Sequence, residues 1–208
     1  MNIVRMVFFI LIVMSGAYGK EPYVEQNILN RLEEKYNAFV TERFLDLQQT
    51  LDSVKKRSDL EKLDAVNKYY NEVKYATDEC VYKMIDYWAT PLEFLGKDRG
   101  DCEDYVISKY FALIYLGMES EKLFFTYAKS TEFKDAHMVL TYFQTPRSEP
   151  LILDNNNNKV LPASQRKDLI PIYNFNGELL YKASSKGNEE QLNSVKSHTK
   201  WDELKANM

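Results

Sequence analysis

Long blocks of one charge, a second long apolar run and any internal repeat are all missing from these 208 residues. Lysine and arginine number 27 against 31 acidic residues, for a net charge of -4, and the two signs are interspersed. Nucleic-acid binders carry a basic face that neutralises phosphates, so that class of partner is excluded. The one strongly apolar run, Met6 to Met14, is too short for a permanent membrane span, which takes about 20 residues. It lies between Arg5 and the small residues Ala17 and Gly19. That is the layout of a secretory signal peptide, so Met1 to Gly19 is expected to be removed on export, with an uncleaved anchor as the alternative. Cysteine is scarce, at two residues, Cys80 and Cys102. From Lys20 onward the chain is long enough to bury a core of its own, so disulfides are not required to hold it together. An even count in an exported protein still leaves a Cys80-Cys102 bridge as an alternative.

Helical periodicity dominates the first half. From about Tyr23 to Lys56, Ile28, Leu29, Leu32, Tyr36, Phe39, Val40, Phe44, Leu47 and Leu51 recur in steps of three and four, which predicts one amphipathic helix. A second is predicted from about Leu60 to Trp88, with a break near Thr77-Asp78 where capping residues interrupt the pattern. The spacing is not a sustained heptad, so scaffold helices are expected rather than a coiled coil. Thr90-Pro91 opens a short helical turn, Gly96 to Gly100 reads as a loop, and a third helix runs from Asp101 or Cys102 to Leu116 with Gly117 as its C-cap. Strands follow at Lys122 to Lys129, His137 to Gln144, Pro150 to Leu153 and Ile172 to Tyr181, the last interrupted by the hairpin signal Asn176-Gly177. Asn155 to Asn158 reads as a polar loop. Helices followed by an antiparallel sheet predict an α+β domain over residues 20–183. Residues 184–208 read as a loosely ordered polar tail with a short helix near Trp201.

Cys102 stands in Gly100-Asp-Cys-Glu-Asp104, directly before the third apolar stripe. Its sulfur is thereby placed at a helix N-terminus, where free N–H groups and the macrodipole favour a thiolate and can stabilise an oxyanion. The carboxylates of Asp101, Glu103 and Asp104 oppose that ionisation. Either they are caps and dipole partners of the first turn, or they hold a hard, oxygen-ligated cation such as calcium, which would offset their field. Two histidines limit the choice of base, and His198 lies in the polar tail. His137 opens one strand and Asp154 closes the next. With Thr145-Pro146 at the hairpin centre the two face each other, and the carboxylate can hold the imidazole in the tautomer that accepts a thiol proton. A structural histidine and a turn-forming aspartate are the bland alternatives.

At these residues the sequence resembles the bacterial transglutaminase-like cysteine proteinases, the LapG-type periplasmic proteases. The stretches that carry the resemblance are Trp88 to Leu95, Gly100 to Tyr105 with Lys109-Tyr110, Ala136 to Leu140, Pro150 to Asn155, Arg166 to Pro171 and Tyr173 to Asn176. It covers about Asn67 to Tyr181; Arg99 departs from the smaller residue expected before Gly100. The resemblance implies a papain-like or transglutaminase-like fold with N-terminal helices packed on an antiparallel sheet. It implies Cys102, His137 and Asp154 as the triad, and calcium dependence with Asp101 and Glu103, and less securely Asp104, as ligands. It further implies a periplasmic endopeptidase that cleaves the N-terminal region of a large surface adhesin to control biofilm attachment. The implied inhibitor is the periplasmic domain of an inner-membrane cyclic di-GMP receptor. Cys80 reads as a buried free thiol. The rival readings are a non-enzymatic periplasmic binding or adaptor module with a Cys80-Cys102 disulfide, and a calcium-binding regulatory domain.

Overall fold

The computed structural model describes residues 21–132, 136–176, 180–184, 187–192 and 199–208. The expected signal segment, His198 and Gly177 lie outside the described residues. Among the described residues, no helix is long and apolar enough to cross a membrane.

The first predicted helix is two, α1 (Gln26–Lys35) and α2 (Phe39–Val54). Asn37 divides them: its Oδ1 accepts the Phe39 N–H at 3.0 Å, a local partner that competes with a helical carbonyl. The apolar stripe survives the break, with Leu29, Leu32, Val40, Phe44, Leu47 and Leu51 all buried. Next comes α3 (Asp59–Tyr70), opened by a Ser58–Glu61 capping box. It ends well short of Trp88, because backbone groups beyond it take tertiary partners: the Tyr105 hydroxyl donates to the Val73 carbonyl, and the Tyr87 N–H donates to Asp78. Strand β1 (Lys74–Tyr75) and helix α4 (Asp78–Val81) follow. Thr77 caps α4, at the position where a break was expected. Lys83 and Asp86 then adopt left-handed backbone angles, φ 59° and 55°, which no α-helix accommodates.

Helix α5 (Pro91–Lys97) begins at a Thr90–Glu93 capping box with proline in its first turn, and it runs into the segment read as a loop. Strand β2 (Arg99–Gly100) pairs in parallel with β1. Helix α6 (Cys102–Tyr115) is capped by Asp101 at its start and closes at Gly117, φ 82°, as expected. There the Met118 N–H reaches back to the Leu113 carbonyl at 3.1 Å.

The remaining strands are β3 (Leu123–Ser130), β4 (Ala136–Tyr142), β5 (Leu151–Asp154), β6 (Asn157–Pro162), β7 (Leu169–Phe175), β8 (Leu180–Ser184) and β9 (Gly187–Leu192). They form one sheet in the order β6-β5-β4-β3-β7-β8-β9, each neighbouring pair antiparallel. The asparagine run is not a loop throughout: Asn157 already pairs with Asp154 as β6 begins. Nor is the C-terminus a detached tail. β9 pairs with β8, and helix α7 (Thr199–Ala206) buries Trp201 and Leu204 in the main core. That core lies between α6 and the sheet, joining Tyr105, Val106 and Leu113 to Phe125, Met138, Leu140 and Leu153. The fold is α+β, as expected.

Candidate active site

Cys102 is the first residue of α6, and the turn before it has no room for a side chain at position 100. A Cβ added to Gly100 would lie 2.2 Å from Asp104 Oδ2 and 2.7 Å from the Phe94 ring. Glycine therefore allows Asp104 to fold back on the helix start, where its Oδ2 accepts the Asp101 N–H at 3.3 Å and its Oδ1 accepts the Ala89 N–H at 2.9 Å. The Cys102 thiol donates to Glu103 Oε2 at 2.9 Å. Burial pushes this thiol well above its ordinary pKa, and the Glu103 charge and hydrogen bond push the same way. The backbone of Met138, the residue after His137 on β4, acts in the opposite sense and lowers it.

His137 and Asp154 are both buried, and His137 Nε2 lies 2.8 Å from Asp154 Oδ1. They are not directly opposite, as the hairpin count predicted. Leu140 pairs with Leu153, so Asp154 stands across from Val139, and the imidazole reaches it along the diagonal. With Nε2 engaged, Nδ1 is the ring nitrogen left to meet a thiol. The other Asp154 oxygen accepts from Arg166 Nη2, and its Oδ1 also accepts the Asn156 N–H at 2.9 Å. Burial alone would raise the Asp154 carboxyl, yet His137, the Asn156 N–H and the Arg166 charge hold it well below the ordinary range. A polar cavity of about 220 Å³ adjoins these groups, lined by Ser130, His137, Asp154, Gln165, Arg166 and Asp168.

Two of the three expected cation ligands, Asp101 and Asp104, come together, and Asp78 joins them; one carboxylate oxygen from each lies within 4.8 Å of the others. Glu103 falls outside that grouping and sits against the thiol instead. Asp78 Oδ1 and Asp101 Oδ1 are buried with no hydrogen-bond partner. Burial, followed by the charges of Glu103, Asp104 and Asp78, pushes the Asp101 carboxyl up to about 9. Unpaired buried oxygens in a cluster of acids fit a hard cation, which oxygen donors prefer. Sequence reasoning missed Asp78, which reads locally as a helix-start residue, and Arg166, which stood in a matching stretch without a role.

Both cysteines are free. Cys80 is exposed rather than buried, because the long apolar helix expected around it is only the four residues of α4. The adaptor reading therefore has no Cys80-Cys102 bridge to support it.

Residues 39–168 match the family of bacterial transglutaminase-like cysteine proteinases. Calcium-bound Legionella pneumophila LapG is 40% identical with a TM-score of 0.75, over 88% of this chain and 99% of that one. EGTA-treated L. pneumophila LapG gives 39% identity and a TM-score of 0.75, over 90% of this chain and 99% of that one. No curated protein matches.

Proposed function

Because this chain belongs to the bacterial transglutaminase-like cysteine proteinases, and is a cysteine protease of that family, we propose that Cys102 is its nucleophile, His137 its base and Asp154 the group that orients the base. One observation carries this assignment: His137 is held through Nε2 by Asp154 at 2.8 Å on β4, the strand against which the helix that begins at Cys102 packs. His137 Nδ1 takes the thiol proton, and the sulfur attacks a peptide carbonyl carbon. The imidazolium then returns that proton to the leaving amine. Water, deprotonated by the same imidazole, cleaves the thioester and regenerates the thiol. Backbone N–H groups at the start of α6 face the developing oxyanion.

Asp78, Asp101 and Asp104, with Glu103 beside them, are the residues that would hold calcium, in keeping with the calcium-bound relative. A cation there supplies positive charge that offsets the carboxylates beside the thiol and fixes the loop preceding α6. The further reading is export to the periplasm through Met1–Gly19 and cleavage of the N-terminal region of a large surface adhesin. The periplasmic domain of an inner-membrane cyclic di-GMP receptor is its inhibitor. Purified mature protein, incubated with such an adhesin fragment, tests this: wild type cleaves, Cys102→Ala does not, and a chelator stops wild type. Cleavage that survives chelation would reduce the acidic cluster to helix capping. Cleavage by Cys102→Ala would remove the nucleophile assignment.

A further inference from the structure

Lys109 lies two turns along α6 from Cys102 and is fully buried. Its Nζ donates to Asn67 Oδ1 at 2.9 Å and to Asn71 Oδ1 at 2.7 Å, and sits 5.6 Å from the centre of the Tyr105 ring. Among the described residues no carboxylate pairs with it. A buried ammonium without a counter-ion is costly, and an apolar side chain of the same length would fill the space at lower cost. What the ammonium supplies is direction. It only donates, so it fixes the oxygen end of each asparagine and turns both NH2 groups the other way. Asn71 Nδ2 then donates to the Asp154 carbonyl at 2.8 Å and to the Asn157 carbonyl at 3.2 Å, and Asn67 Nδ2 donates to the Asn157 carbonyl at 2.9 Å.

We propose that Lys109 is a positioning residue: through Asn67 and Asn71 it ties the strand end that carries Asp154 to the helix that carries Cys102, and so sets how Asp154 meets His137. This rests on the triad reading above. The chain of bonds starts on the nucleophile's own helix, passes through α3 and ends on the backbone of the orienting carboxylate. A displacement of β5 relative to α6 is therefore resisted by this directional chain of hydrogen bonds as well as by the packing of Leu153 in the core.

The test compares Lys109→Met and Asn71→Ser with wild type and Asp154→Asn. Asn71→Ser leaves every charge in place, and it keeps the test readable should Lys109→Met fail to fold. On an adhesin fragment that wild type cleaves, both variants are expected to lose about 100-fold in kcat with little change in KM, the size a misplaced reacting group produces. An unchanged kcat in either folded variant overturns the proposal. Should Asp154→Asn retain wild-type activity, the triad reading fails instead. Alkylation of Cys102 by iodoacetamide in a Cys80→Ser background reads the same variants without a substrate: slowing in Asp154→Asn alone overturns the positioning role, and slowing in all three supports it.

Discussion

Asp154 is the residue on which the most depends, because it is buried and charged and both of its oxygens are in use. One faces the imidazole; the other faces Arg166, whose side chain is 5% exposed and which also reaches Asp168 Oδ2 at 2.6 Å. Truncating one partner of a buried pair strands the other charge, at about 3–5 kcal/mol. Arg166→Ala is accordingly expected to lower urea stability by about that amount, with an unchanged denaturant slope, and to reduce turnover as well. A loss below about 1 kcal/mol would place the pair with exposed ion pairs of little consequence. The place of Cys102 at a helix start and the contact of His137 with Asp154 were legible in the sequence because cysteine and histidine are scarce and stand at element ends. Asp78, Lys109 and Arg166 were not. Each has an ordinary local reading, and its meaning comes only from a partner far away in sequence.

Element ends with local causes were equally legible, notably α5 with its Thr90–Glu93 box and α6 with Gly117 beyond its last turn. The lengths of the first two predicted helices were not. An apolar stripe continues across Asn37 and past Tyr70 although the backbone does not, since its hydrogen bonds there go to Asn37 itself or to Tyr105 and Asp78. Helix α7 was expected as a short helix near Trp201, but its place in the core was not. Its eight residues are too few to be stable alone, so packing must order them. Trp201 does this, with ring centres 5.1 Å from Phe125, 5.6 Å from Tyr110 and 6.1 Å from Phe175. Trp201→Ala is expected to cost about 3–5 kcal/mol by urea denaturation, as for other large buried aromatics. A change near zero would mean that α7 contributes no core. Because Tyr110 lies on α6, the loss also loosens the helix that presents the thiol.

The whole molecule places helices against one antiparallel sheet so that three chain segments, the start of α6, the start of β4 and the end of β5, meet where cysteine, histidine and aspartate stand. The α+β class followed from the order of periodicities; the strand at the asparagine run and the one after Ser184 did not, because neither carries apolar alternation and both are held by pairing. The price of this assembly includes Lys109 in its interior, and that leaves a signature in global stability. Burial lowers the Lys109 pKa from its ordinary 10.5 to about 7, against a partial pull upward from the Asp154 charge. In the folded state the neutral amine is thus favoured, and the unfolded chain binds more protons between those two values. Stability from this group must therefore rise with pH from about 7 to about 10.5, and the penalty is fully present below about 7. Lys109→Met removes the titration. Urea midpoints of wild type and variant, measured across that window with calcium held constant, should show wild type gaining on the variant as pH rises. A constant difference would mean that Lys109 keeps its ordinary affinity for a proton inside the fold, and so that water reaches the ammonium between α3 and α6.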